Sequence, residues 1–379
     1  MVLSGWASQF ILLLGRIARW WRLPFWILQL ATGAKSFADN PILGSRTLNR
    51  LGLHVWRLKA AHALANWRRK RLAGRIPRLL REEFQRNGFV VLRDFLPVEE
   101  FATLRSAILQ ADLSTRTHQQ GDTITRRVSV GPPILQRFPQ LRSIVEDPIW
   151  TGLMAYVAST RTKPLYYIQT ILGGIADGPP DPQLQLHSDT FHPSLKAWLF
   201  LTDVPEDGRP LKYVAGSHRL SSARIAWERR KSVEVLDNGD ALSRRGSFRI
   251  SPEELGDLGL PPPTSFAVPA NTLVVVDTCG FHARADSDRP TTRVELWAYC
   301  RRTPFVPWTS GGILSWNAIA VRRADWLNAL LDWLDRRGLR KQQWARDGLR
   351  RPIDPQIYCA EPEPSVPVRD HRTSNSRAA

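Results

Sequence analysis

The 379-residue sequence has only three cysteines, Cys279, Cys300 and Cys359, and none of them forms a CxxC pair. This spacing excludes a cysteine-rich zinc site and a disulfide framework, and it fits a reducing compartment. No uninterrupted apolar run reaches the roughly 20 residues that a helix needs to span a bilayer. No repeat of solenoid length is present either. The 43% of hydrophobic residues is ample for a globular core.

Acidic residues are almost absent from the first 81 positions, where Asp39 stands against 15 lysines and arginines. Residues 82–379 hold the other 38 basic and 34 acidic side chains and are close to neutral. The basic segment is also rich in apolar residues. Trp20, Trp21 and Trp26 lie among arginines, a pattern typical of segments in the headgroup region of an anionic membrane.

Residues 47–84 predict one or two basic amphipathic helices with a break near Gly74 and Pro77. Three other interpretations of residues 1–81 stay open. The helices pack on the rest of the protein with their arginines in solvent, or the segment is a cleaved transit peptide, or its charge binds nucleic acid. Nucleic acid is disfavoured because no groove-reading motif is present. We expect a cytoplasmic protein. If residues 1–81 bind a membrane, the protein lies peripherally on its inner face.

Two histidines, one aspartate and one arginine form the most informative pattern. His187 and Asp189 lie in LQLHSDTF, His282 lies in TCGFHARADSDRP, and Arg293 lies in TTRVELWAY. Two imidazoles and one carboxylate on one face of a metal leave its other positions open, as in non-haem Fe(II) oxygenases. An arginine beyond the second histidine can hold a carboxylate with its planar fork of donors. The set predicts an iron site that also binds 2-oxoglutarate.

The spacing of these residues suits β-strands. His187 and Asp189 would share one face of a strand, because side chains alternate along it. His282 follows the buried-strand pattern TLVVVD, and Arg293 opens a second strand pattern. If those two strands are neighbours, the histidine and the arginine can face one cavity.

Around these residues the sequence resembles the phytanoyl-CoA dioxygenase family, from about Phe84 to about Arg301. The likeness opens with EEFQRNGFVVLRDFLPVEEFATLRSAI and is strongest in AWLFLTDVPEDGRPLKYVAGSHR. An HxD triplet alone is weak evidence. The HxD triplet, the GSH turn, the distal histidine and the arginine in this order form a specific signal.

The resemblance implies a mainly β fold with flanking helices, built on a double-stranded β-helix, the jelly-roll or cupin-like core. It implies Fe(II) held by His187, Asp189 and His282, and 2-oxoglutarate held at its far carboxylate by Arg293. With O2 as oxidant, such a site hydroxylates a C–H bond of a small-molecule or lipid-like substrate and yields succinate and CO2. The carboxylate at 189 favours hydroxylation, since halogenating relatives have a small residue there.

Two positions depart from the family pattern. Ala215 stands where the family usually has proline before GSH, and Arg284 stands where a small hydroxyl residue often helps to bind 2-oxoglutarate. Arg284 is therefore an alternative anchor for the co-substrate. His192 and His218 are interpreted as structural residues rather than ligands, and Asp277 as a hydrogen-bonding residue at a strand end.

After Arg301 the sequence predicts a loop and then helices, in which Trp326, Leu330 and Trp333 share a face that packs on the core. From Pro352 onward proline and polar residues dominate, which predicts a disordered tail. The predicted division is a basic helical extension, an oxygenase domain, C-terminal helices and a tail, at residues 1–81, 82–305, 306–351 and 352–379.

We expect an enzyme, a 2-oxoglutarate-dependent dioxygenase. The alternative, from a different class, is a catalytically inactive jelly-roll binding or scaffold protein docked on a membrane, and the complete four-residue set argues against it. Substrate choice is expected from loops that carry no recognisable motif, at residues 112–132, 174–183 and 220–262. Since the four site residues lie far along the chain, removal of residues 1–45 should leave the iron site intact.

Overall fold

A computed structural model describes residues 21–310 and 312–355; residues 1–20, Cys359 and the predicted tail from residue 356 lie outside this range. The first helices are α1 (Leu23–Leu30), α2 (Arg46–Arg50), α3 (Leu53–Leu72), α4 (Arg78–Asn87), α5 (Val98–Leu109), α6 (Pro132–Arg137) and α7 (Pro139–Glu146). They are followed by α8 (Pro148–Val157), α9 (Ser222–Asn238), α10 (Ala241–Arg244), α11 (Pro252–Asp257), α12 (Asn317–Ala320) and α13 (Arg323–Arg336).

The strands are β1 (Phe89–Leu92), β2 (Leu113–Gln120), β3 (Thr123–Ser129), β4 (Leu165–Gly173), β5 (Leu195–Phe200), β6 (Leu211–Tyr213), β7 (Thr264–Ser265), β8 (Leu273–Asp277), β9 (His282–Arg284), β10 (Thr291–Cys300) and β11 (Ala345–Arg350). Eight of them form an antiparallel sheet in the order β1-β8-β5-β10-β4-β3-β2-β11. The other three form a smaller sheet in the order β7-β6-β9. None of the helices in the described part of the chain is both long and apolar enough to cross a membrane.

The two sheets face each other across a shared apolar layer. Tyr213 of the smaller sheet and Trp198 of the larger sheet belong to the same buried cluster. Isolated bridges from His187 to His282 and to Arg249 extend the smaller sheet. The mainly β jelly-roll core with flanking helices is therefore confirmed, although the sheets do not join into a closed barrel.

Strand β10 shows how the larger sheet separates core from cavity. Val294, Leu296 and Ala298 pack into the buried cluster that also contains helices α5 to α8. Arg293 and Trp297, on the opposite face, line a cavity between the sheets. The alternation follows from the two-residue period of a strand, and it places Arg293 on the cavity side.

Helix α3 turns three of its four arginines toward the protein rather than toward solvent. Arg57, Arg68 and Arg69 are all buried. Arg69 donates to the carbonyls of Tyr156 and Val157 at the end of α8, where helix carbonyls lack partners of their own. The interpretation that the arginines of these helices form a solvated face is wrong for these three side chains.

The C-terminal region differs from the predicted helices in two ways. Trp326 and Leu330 of α13 are each 53% exposed, so the predicted packing of this face on the core is wrong. Leu327, which belongs to the same predicted face, and Leu331 line the cavity instead. Strand β11, which the sequence did not predict, pairs with the edge strand β2 and widens the larger sheet.

Candidate metal centre

The segment from His187 to Asp189 is held between the two sheets by backbone hydrogen bonds. The amide of His187 donates to the carbonyl of His282 at 3.0 Å, and the amide of His282 donates back at 2.9 Å. The amide of Asp189 donates to the carbonyl of Thr278 at 2.9 Å. His187 forms only an isolated bridge, so the predicted strand around this triplet is wrong. The bridge nevertheless places the two histidines side by side.

Three side chains converge at this point. Oδ1 of Asp189 lies 3.7 Å from Nε2 of His187 and 3.6 Å from Nε2 of His282. One ligand atom from each residue lies within 4.8 Å of the other two, and both imidazole Nε2 atoms are buried without a hydrogen-bond partner in the described chain. Buried polar atoms without partners are costly, and a metal ion shared with the carboxylate of Asp189 would satisfy both Nε2 atoms.

The tautomers of both histidines suit metal binding. Nδ1 of His187 lies 2.7 Å from the carbonyl oxygen of Gln185, and Nδ1 of His282 lies 3.0 Å from that of Gly280. Since a carbonyl only accepts, each Nδ1 carries the proton and donates it, which leaves the lone pair on Nε2. Burial lowers the pKa of His187 well below 6.5, which keeps this ring neutral.

The carboxylate of Asp189 is ionised by its surroundings. Burial by itself would raise its pKa, but the Lys196 ammonium, whose Nζ lies 2.7 Å from Oδ2, holds the pKa well below 3.8. Lys35 donates to the backbone carbonyl of Asp189. This second lysine comes from the N-terminal segment, so removal of residues 1–45 would also remove this contact with Asp189.

Arg293 lines the same cavity as the three converging side chains. Its Nε donates to Oε2 of Glu295 at 2.8 Å, and its Nη1 donates to the carbonyl of Arg209 at 2.8 Å. The expected adjacency of its strand to β8 is wrong, because β5 lies between β8 and β10. His282 reaches the cavity from β9 of the smaller sheet instead.

Arg284, the alternative anchor, also lines the cavity and donates to Asp181, a buried carboxylate. His192 has its Nδ1 3.0 Å from the carbonyl of Pro193 and is not part of the three-residue group. His218 is buried against Phe84 and is not part of that group either.

Several polar residues of the cavity were not identified from the sequence. Lys196, Gln169 and Arg127 all face it from the larger sheet. A lysine between apolar residues in the strand LKAWLF was a signal for Lys196, since a charged residue in such a strand needs a partner inside. Strand β3 alternates too weakly in hydrophobicity to have revealed Arg127.

A comparison with known proteins gives one family and a set of solved structures. The model of the phytanoyl-CoA dioxygenase (PhyH) family matches residues 84–242, a range that contains His187 and Asp189 and ends before His282. No curated protein sequence matches the chain significantly.

Three of the similar structures illustrate the set. The non-heme alpha ketoglutarate dependent epimerase SnoN from nogalamycin biosynthesis is 19% identical over 58% of this chain and 81% of its own, with a TM-score of 0.39. HygX from Streptomyces hygroscopicus, with nickel, 2-oxoglutarate and hygromycin B bound, is 16% identical over 59% and 86%, with a TM-score of 0.36. EctD from S. alaskensis, with 2-oxoglutarate and 5-hydroxyectoine, is 17% identical over 59% and 76%, with a TM-score of 0.34.

Proposed function

We propose that the chain, whose residues 84–242 match the phytanoyl-CoA dioxygenase family, is an Fe(II)- and 2-oxoglutarate-dependent hydroxylase of a small-molecule or lipid-like substrate. The observation that carries the proposal is the convergence of two buried, unpartnered Nε2 atoms on one carboxylate oxygen. Two neutral imidazoles and one carboxylate are the donor set that suits Fe(II) with open positions for other ligands.

In this proposal each residue has a definite task. His187, Asp189 and His282 hold the iron, and the Nδ1 hydrogen bonds keep both rings oriented. Arg293, fixed by Glu295, binds the far carboxylate of 2-oxoglutarate. The bound iron supplies the activation of O2 that lets a C–H bond be hydroxylated while 2-oxoglutarate is converted to succinate and CO2.

The carboxylate at 189 supports hydroxylation rather than halogenation, because it fills the ligand position that a halide would need. The cavity of about 500 Å³ is large enough for a small molecule next to a co-substrate. Its aromatic wall, which includes Trp198, Trp297 and Tyr299, excludes water from the reacting atoms.

The test is succinate release by purified protein supplied with Fe(II), 2-oxoglutarate, O2 and a panel of metabolites. Turnover of 2-oxoglutarate that requires Fe(II) and that a panel member stimulates would support the proposal. Asp189→Ala and His282→Ala should abolish it. Iron and 2-oxoglutarate binding without any succinate from any sample would favour the inactive binding or scaffold protein.

We also propose that residues 1–81 and 82–305 work as one unit at the site, with residues 306–351 covering its mouth. Lys35 contacts Asp189 from the first segment, and Leu327 lines the cavity from the last. Because side chains from the first and last segments reach the cavity, the site needs all three segments and is not a separable oxygenase domain.

A membrane contact is the second proposal for the N-terminal segment. Trp21, Phe25 and Leu28, which we call the α1 apolar surface, are 71%, 60% and 65% exposed. Arg22 and Arg46 are exposed in the same segment. Exposed aromatic and apolar side chains beside arginines suit the headgroup region of an anionic membrane.

Sedimentation with vesicles tests this contact. Wild-type protein should bind vesicles that contain phosphatidylserine, and this binding should weaken as the salt concentration rises. It should not bind vesicles of pure phosphatidylcholine. The variant Trp21→Ser/Phe25→Ser/Leu28→Ser should lose binding. A control that removes exposed apolar side chains elsewhere on the protein, Leu79→Ser/Val98→Ser, should keep it, since these positions are 77% and 72% exposed. Equal binding by all three proteins would refute the contact.

A further inference from the structure

Positive charge exceeds negative charge in the cavity. Seven cationic side chains line it, namely Lys35, Arg116, Arg127, Lys196, Arg284, Arg293 and Arg301. Four of them have carboxylate partners, in the pairs Arg116–Asp332, Lys196–Asp189, Arg284–Asp181 and Arg293–Glu295. Lys35, Arg127 and Arg301 form no ion pair with any carboxylate in residues 21–310 and 312–355. In the proposed function, the two positive charges of Fe(II) would cancel the two negative charges of 2-oxoglutarate. The side chains of the cavity therefore keep an excess of three positive charges.

Of these three cations, Arg127 packs against two tryptophan rings. The centre of its guanidinium lies 4.1 Å from the ring centroid of Trp297 and 4.2 Å from that of Trp344. Its Nε donates to Oε1 of Gln169 at 2.7 Å. The two rings and this hydrogen bond fix the plane of the guanidinium. Its two terminal nitrogens make no hydrogen bond to any residue that the structure describes.

The neighbour of Arg127 in the sheet shows the contrast. Arg116 is directly opposite Arg127 in the pairing of β2 with β3. Both terminal nitrogens of Arg116 donate to the carboxylate of Asp332, at 2.9 and 2.5 Å. The fold thus supplies a two-point partner for one arginine and leaves the adjacent one open to the cavity.

The position of Arg127 links it to the co-substrate side of the site. Arg127 pairs in register with Gln169 on β4, which pairs with Glu295 on β10. Nε2 of Gln169 donates to Oε1 of Glu295 at 2.6 Å, and Glu295 in turn holds Arg293. Arg293 therefore has a fixed partner, whereas Arg127 at the other end of this row has free donors. Arg127 is half-buried, and a partly desolvated guanidinium without a counter-charge is costly, so desolvation lowers the pKa of Arg127 to about 10.

We propose that the substrate carries an anionic group, a carboxylate or a phosphate, that binds to the free edge of Arg127. This inference rests on the proposed hydroxylase function and narrows its substrate class. The planar fork of an arginine matches the oxygens of both groups. Aromatic residues that line the same cavity, Tyr167, Trp198 and Trp297, would contact the apolar body of the same molecule.

Binding of three matched probes tests the proposal: 1-naphthoate, 1-naphthyl phosphate and the neutral 1-naphthamide. Titrations follow the fluorescence of the tryptophans, in protein loaded with Mn(II) and 2-oxoglutarate without O2, at constant ionic strength. Wild-type protein should bind at least one anion about tenfold more tightly than the amide. The tighter of the two anions distinguishes a carboxylate from a phosphate substrate.

Variants assign the preference to this arginine. Arg127→Gln should remove it, Arg127→Lys should keep part of it, and Arg142→Gln, an exposed arginine on α7, should keep all of it. The Kd for 2-oxoglutarate should stay within about twofold in Arg127→Gln. Equal binding of the three probes, no binding of either anion, a preference that survives in Arg127→Gln, or a large loss of 2-oxoglutarate affinity would each overturn the proposal. Fe(II)-dependent succinate release, measured on the same wild-type protein, shows separately whether the hydroxylase function itself fails.

Discussion

Nη2 of Arg69 lies 2.7 Å from Oδ2 of Asp277, and this buried ion pair joins helix α3 to the end of strand β8. The other carboxylate oxygen of Asp277 accepts from the amides of Ser194 and Cys279, at 3.0 and 3.2 Å. The pair therefore anchors the N-terminal basic segment to the turn that leads into His282.

Loss of Arg69 should leave Asp277 buried and unpaired. We expect Arg69→Met to lower the free energy of unfolding by about 3–5 kcal/mol. The exposed neighbour Lys70 offers a matched control, because Lys70→Met should change the free energy of unfolding by less than about 0.5 kcal/mol. Urea unfolding monitored by tryptophan fluorescence measures both. Similar losses in the two variants would show that the pair has no special role.

Glu228 should contribute a pH-dependent stability. It accepts from Arg224 and faces Nε2 of His54, each at 2.8 Å. Burial by itself would raise its pKa, but the charge of Arg224 and the hydrogen bond from His54 lower it to about 2, below the ordinary 4.5. Because the folded pKa is the lower one, the stabilisation is complete above about pH 4.5 and is lost as the pH falls toward 2.

The variant Glu228→Gln isolates this contribution. At neutral pH the free energy of unfolding of wild type should exceed that of the variant by a few kcal/mol, on the order of 1.4 kcal/mol for each pH unit between the two pKa values. The difference should shrink steadily between pH 5 and pH 3 in urea unfolding. A difference that does not depend on pH would mean that packing, not ionisation, explains the effect.

Asp189→Ala should reduce metal affinity more than any change outside the three converging residues. Loss of a metal ligand should exceed the 10–100-fold cost typical of an outer hydrogen-bond partner. The buried His192 supplies the control, since its Nε2 is also unpartnered but is not part of the group. Titration with Ni(II) or Co(II) should show near wild-type affinity for His192→Gln. Equal losses in both variants would place the metal elsewhere.

Arg293→Lys should raise the KM for 2-oxoglutarate by about tenfold or more, because lysine keeps the charge but not the two-point contact. Arg284→Lys should have a much smaller effect, since Arg284 is already paired with the buried Asp181. Steady-state succinate release at varied 2-oxoglutarate concentration compares the two. A larger increase in Arg284→Lys would make Arg284 the anchor.

The fold class and the three converging residues could be predicted because their signals are local. The run LVVVD predicts a buried strand, and an HxD triplet before a distal histidine is a specific pattern. Strands β2 and β3, by contrast, fall in a predicted loop. LSTRTHQQ and TITRRVS lack strong apolar alternation because one face of each lines a polar cavity. The partner that makes such a strand stable lies far away in sequence.

The role of the N-terminal arginines could not be predicted for a similar reason. A run such as WRRKRL on a helix is typical of a solvated face. Only the tertiary structure shows that Arg68 and Arg69 reach carbonyls at the end of another helix. The carbonyls are backbone atoms, which a sequence pattern does not reveal.

The separation of Arg69 from Asp277, 208 positions along the chain, also sets an order of events during synthesis. At the usual rate of about 5–20 residues per second, helix α3 leaves the ribosome roughly 10–40 seconds before its partner is made. The carbonyls of Tyr156 and Val157 that Arg69 also contacts are made earlier in this interval, so helix α3 can dock on α8 first. The ion pair with Asp277 is therefore a late step, which fixes α3 only after β8 has been made.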